Sequence, residues 1–205
     1  MGVSMKQRRY SYGLIAMLVF LVIGLFVIAW QLGTPLDGGR NMASMPPIAQ
    51  SAGEAAQILQ AWLKENWATD GAIVACTLTL SHQASVEANW TFQVYSAQKN
   101  HLLVALVQDH GVRILRDIVA LYPPAVLSAV AWTQDSRDVL NIWWRAGGAT
   151  AWNKTPKSTL ALRLGMRADN IPVWQFTLEE AGTAEYWEIR ADTGVVLEHV
   201  AGGQR

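Results

Sequence analysis

Trp90-Thr91-Phe92-Gln93-Val94 and, 84 positions later, Trp174-Gln175-Phe176-Thr177-Leu178 are two renderings of one pattern. Large apolar residues take every second place and short polar ones stand between them, as a half-buried strand requires. The same offset sets Cys76-Thr77-Leu78-Thr79-Leu80 beside Leu160-Ala161-Leu162-Arg163-Leu164, and Gln50-Ser51 beside Gln134-Asp135. With one residue fewer, Asp109-His110-Gly111 meets Asp192-Thr193-Gly194. Blocks in one order at nearly one spacing read as an internal duplication.

Each copy predicts a helix followed by strands. Ser51 and Glu54 have capping-box spacing, and Ala55, Ile58, Leu59 and Trp62 follow as one apolar stripe. Asp135 and Asp138 open the second helix, whose stripe is Val139, Ile142, Trp143 and Ala146 before Gly147-Gly148. Strands are expected around Val74–Leu80, Trp90–Tyr95 and His101–Gln108, then around Leu160–Leu164, Trp174–Leu178 and Glu185–Ala191. Short closing strands follow at Val112–Leu115 and Val195–Leu197, each after an Asp-x-Gly turn in which glycine would be left-handed.

Ahead of the duplication, GLIAMLVFLVIGLFVIAW (Gly13–Trp30) runs eighteen residues without a charge, enough for a short membrane crossing. Lys6, Arg8 and Arg9 precede it, which predicts a cytoplasmic N-terminus, and Tyr10, Tyr12 and Trp30 suit the two interfaces. A cleaved signal peptide would have a shorter apolar stretch and a small-residue cleavage site. The expectation is a single-pass plasma-membrane protein with residues 1–12 cytoplasmic, 13–30 spanning and 31–50 a Gly/Pro-rich linker. Two extracytoplasmic units would then occupy 51–117 and 135–200, joined by 118–134.

Trp187-Glu188-Ile189-Arg190-Ala191-Asp192-Thr193-Gly194-Val195-Val196-Leu197 resembles the closing hairpin of the PepSY family. The first copy departs from it, having Asp109-His110-Gly111 at the turn. Tandem PepSY-like, cystatin-like units behind one anchor also resemble extracytoplasmic regulators of bacterial cell-wall synthesis. The resemblance implies a non-catalytic binding or inhibitory module. The expected fold class is therefore α+β, an N-terminal transmembrane helix followed by two tandem helix-plus-antiparallel-sheet units.

Composition narrows the chemistry. Sixteen Lys+Arg against sixteen Asp+Glu gives no basic footprint, so no nucleic-acid partner is expected. One cysteine, Cys76, excludes a disulfide framework and any multi-cysteine metal site. Asp192-Thr193-Gly194 spells an aspartic-protease signature, but too little chain follows to complete such a lobe. His82, His101, His110 and His199 lack metal-binding helical spacing, and no phosphate or dinucleotide loop opens a helix. No catalytic residue, metal or cofactor is assigned.

A surface remains. If Val139, Ile142, Trp143 and Ala146 are buried, Leu140 and Trp144 project from another side of that helix, stacked four residues apart. The outward side of the third strand carries Leu102, Val104 and Leu106, where the second copy has Tyr186, Glu188 and Arg190, residues suited to water. An apolar outer face needs a cover. Either Leu140 and Trp144 or the segment Ile118–Trp132 provides it, or these residues dock another protein. The expected function is to bind and regulate an envelope enzyme, a peptidase or cell-wall synthase. The alternatives are an accessory subunit of a larger membrane complex and a tryptophan-lined small-molecule or enzymatic pocket.

Overall fold

The computed structural model describes residues 44–82, 89–128 and 132–204. The expected span at 13–30 lies outside them; among the described residues no helix is long and apolar enough to cross a membrane.

Ser51 and Glu54 close both halves of their capping box: Glu54 N–H donates to Ser51 Oγ and Ser51 N–H to Glu54 Oε2. The helix they start, α1, spans Ala52–Asn66 and buries Ala52, Ala55, Ala56, Leu59 and Leu63. Four strands follow: β1 (Ala72–Ser81), β2 (Trp90–Ser96), β3 (His101–Gln108) and β4 (Gly111–Val119). In the β3–β4 turn the left-handed residues are Asp109 (φ 48°) and His110 (φ 65°), not the expected Gly111. Two consecutive positive φ angles match the right-handed twist of a two-residue hairpin.

Asp135 caps α2 (Ser136–Trp143). A wide turn at Trp144–Gly148 kinks the helix where Gly147 takes φ 111°, and α3 (Ala149–Lys154) continues beyond it. Then come β5 (Thr159–Met166), β6 (Pro172–Glu180), β7 (Thr183–Arg190) and β8 (Val196–Gln204). Here the turn glycine, Gly194, is left-handed (φ 72°) as expected.

The strands form one antiparallel sheet in the order β4-β3-β2-β1-β5-β6-β7-β8. This overturns the expected α+β arrangement of two tandem helix-plus-antiparallel-sheet units, while the transmembrane helix expected ahead of them falls outside the described residues. The described chain is mostly one eight-stranded sheet, and Ala43–Arg205 is a single compact unit. The cause lies at the seam. Cys76, Leu78 and Leu80 of β1 pair with Leu164, Leu162 and Leu160 of β5. Each strand completes the other's backbone ladder, and an edge that would otherwise be open is closed. Exchanging every residue for its counterpart 84 positions away leaves these pairs unchanged, so a local twofold passes between Leu78 and Leu162.

One core follows from one sheet. Trp90 and Trp174 are fully buried, with ring centroids 6.2 Å apart in an edge contact. Their indole N–H groups donate to equivalent carbonyls, Gln50 at 2.9 Å and Gln134 at 3.0 Å. Trp143 stacks on Phe176 at 5.5 Å and meets Trp187 edge-on at 5.7 Å. The helix starts also meet: Ala52 N–H donates to Ser136 Oγ, and Gly53 N–H to Asp135 Oδ1. Asp135 and Glu54, the latter paired with Arg137, place negative charge where two positive helix ends converge.

Candidate functional site

Register decides which face each β3 residue occupies. Leu103, Ala105 and Val107 are buried in the shared core, while Leu102, Val104 and Leu106 are half-buried on the opposite, open face. Their β4 partners are Ile118, Arg116 and Arg113, with Leu115 left over as a bulge between Ile114 and Arg116. Among the described residues β4 ends the sheet, so one side of its backbone has no ladder partner there. The strand is exposed along nearly its whole length, including Ile114, Leu115, Ile118 and Val119. An apolar edge of this kind invites another chain.

The chain beyond β4 extends that surface. Ala120 N–H donates to Asn100 O, and Leu121 and Tyr122 then stand 87% and 82% exposed. With Leu102, Ile118, Val119, Ala120 and Pro124 they line an open hollow of about 350 Å³. The segment next turns inward: Leu127 N–H donates to Ile73 O, and the Leu127 side chain joins the core. Thus its beginning borders the open face beside Leu102, and its later part belongs to the helix side.

The structure divides the residues proposed from sequence. Leu140 is 1% exposed and belongs to the core with Val139 and Trp143, so it is not available to a partner. The buried stripe of α2 is Ser136, Val139, Leu140 and Trp143, one face rotated from the expected one, which leaves Ile142 and Ala146 only half-buried. Trp144 is half-buried against the core, its ring 6.0 Å from Trp143. Neither covers Leu102, Val104 and Leu106, which lie on the other face of the sheet. Ile118, Leu121 and Tyr122 are the surface residues that strand and loop periodicity missed; their exposure depends on β4 being an edge.

Several polar groups elsewhere have structural partners, whereas His82 Nε2, Trp143 Nε1 and Trp187 Nε1 are buried without a hydrogen bond among the described residues. Glu188, expected in water, is only 6% exposed and accepts from the Tyr186 hydroxyl, Gln175 Nε2 (3.1 Å) and Arg167 Nη1 (3.2 Å). Burial, reinforced by that carboxylate, pushes the Tyr186 phenol above its ordinary pKa. Burial also pushes the Cys76 thiol up, which disfavours the thiolate a nucleophile needs. Asp192 is held by Arg190, whose Nε lies 2.9 Å away, and its pKa falls to about 2. His101 Nδ1 lies 2.7 Å from Asp117, which also accepts from Trp67 Nε1 at 3.1 Å. His199 pairs with Glu185 and stacks on Trp187, and His82 stacks on Trp152. Among the described residues, no three His, Cys, Asp or Glu side chains are grouped to hold a metal. Arg113 and Arg116 form no ion pair among the described residues.

No family model matches the chain, and no curated protein matches it. A solved structure of a "putative lipoprotein" from Clostridium difficile 630 is similar in fold, with a TM-score of 0.51 at 11% identity. The match covers 78% of this chain and 96% of that one.

Proposed function

We propose that this is a membrane-anchored, extracytoplasmic binding protein that holds or restrains an envelope enzyme, a peptidase or cell-wall synthase, without catalysing a reaction itself. The observation that carries the reading is the β4 edge. A strand edge with no ladder partner among the described residues, exposed Ile118 and Leu121, and the adjoining hollow form one apolar surface. A monomer gains nothing from exposing it. The eighteen-residue apolar stretch Gly13–Trp30 and its cationic flank support the anchor, and the "putative lipoprotein" of similar fold is compatible with a place at the envelope surface.

The test is photo-crosslinking in native membranes from a reactive side chain placed at Tyr122 of the full chain. The expected result is capture of one envelope peptidase or synthase, abolished by Ile118→Asp. Equal capture from a probe at Glu198, on the far edge, would overturn the assignment of the surface. Capture of a fixed set of membrane subunits in constant ratio would identify an accessory subunit of a larger complex instead.

A further inference from the structure

We infer that the β4 edge accepts an extended acidic and apolar segment of a different protein as a ninth strand of the sheet. This rests on the docking reading above and adds the chemistry of the partner. The free side of β4 offers backbone donors and acceptors in series, and an added strand satisfies them in series.

Register specifies the side chains. On the open face β4 presents Arg113 opposite Leu106, Arg116 opposite Val104 and Ile118 opposite Leu102. An added strand lying antiparallel would meet Ile118 near its N-terminal end and the two arginines further along. An apolar residue there enters the hollow between Leu102, Ile118, Tyr122 and Pro124. Carboxylates beyond it meet guanidinium groups that have no ion-pair partner among the described residues. The nearest acid in sequence, Asp117, is committed on the other face to His101 and Trp67. Charge also selects against self-association, since an antiparallel second β4 would set the two arginine pairs against each other. The opposite edge lacks this pattern: β8 presents Glu198 on the open face, and His199 is stacked on Trp187.

The test uses the full chain in nanodiscs of neutral lipid. The probe is a short fluorescein-labelled peptide with isoleucine near its N-terminus, followed by valine and glutamate in alternation (Ile-Val-Glu-Val-Glu), so that the glutamates share the isoleucine's face. It should bind about tenfold or more tighter than its lysine counterpart, and Arg113→Glu with Arg116→Glu should invert that preference. Amide exchange should slow across Gly111–Val119 and stay unchanged across β8. Equal binding of both peptides, indifference to the charge reversal, or protection on β8 would each overturn the inference. So would protection of β4 by phosphatidylglycerol vesicles and not by peptide, which would make the edge a lipid-contact surface. If the peptide fails while Ile118→Asp still abolishes capture of the envelope protein, strand addition falls and the docking surface stands. If both fail, both fall.

Discussion

Arg190 and Asp192 are two residues apart, and Arg190 Nε holds the carboxylate at 2.9 Å while Thr133 Oγ donates to the Asp192 carbonyl. The triplet Asp192-Thr193-Gly194 is therefore a braced turn, and its acid is ionised down to unusually low pH. A carboxyl whose folded pKa is depressed contributes stability above its unfolded value and loses it as pH falls through the folded one. For Asp192 that window runs from the ordinary value near 4 down to about 2. Carbon-detected NMR should show a carboxyl midpoint near 2, and Arg190→Gln should raise it toward the ordinary range. An unmoved midpoint would remove the guanidinium as the cause. Gly148 makes a second prediction at this scale. A Cβ there would lie 2.3 Å from the Trp143 indole, whereas at Gly165 the nearest atoms are 3.9 Å away on a flexible arginine. Gly148→Ala should lose about 2–3 kcal/mol in urea denaturation, and Gly165→Ala well under 1.

Elements differ in whether their sequence pattern sees all of their surroundings. For β2 and β6 it does: the alternation of Trp90, Phe92 and Val94, and of Trp174, Phe176 and Leu178, matches their burial. For α2 it does not, since Leu140 lies off the assumed stripe and is still buried. For β4 the pattern shows a strand but not its exposure, because that depends on the absence of a further neighbour. Two substitutions separate the helix from the edge. Trp144→Asp places a charge against Trp143 and the core, and should cost about 1–3 kcal/mol in a urea melt while leaving the Tyr122 crosslink intact. Ile118→Asp, on an exposed strand, should leave the melt within about 0.5 kcal/mol and abolish the crosslink. Reversed outcomes would move the docking surface to the helix.

At the scale of the molecule, the seam between β1 and β5 joins what sequence reading separated. The Trp90–Trp174 contact crosses it, and Asp135 of the second half bonds the first turn of α1. One cooperative transition is therefore expected, with far- and near-ultraviolet circular dichroism superimposing through denaturation. Leu78→Ala, at the local twofold, should lose about 2–4 kcal/mol and speed amide exchange in β2 and β6 alike. Faster exchange in β2 alone would mean that the halves open independently.

The sequence by itself determined where helices start, through Ser51 with Glu54 and through Asp135, and which residues of β2, β3 and β6 face inward. Those are local consequences of capping chemistry and of a two-residue repeat, and they need no knowledge of neighbours. Only the tertiary structure decided that β1 and β5 share one ladder, that Leu140 is core, that Glu188 is enclosed and that β4 is left open. Leucines on one face of β1 and β5 are equally compatible with two separate cores and with one. Which occurs depends on backbone hydrogen bonds between strands 84 positions apart, and those bonds carry no side-chain signature.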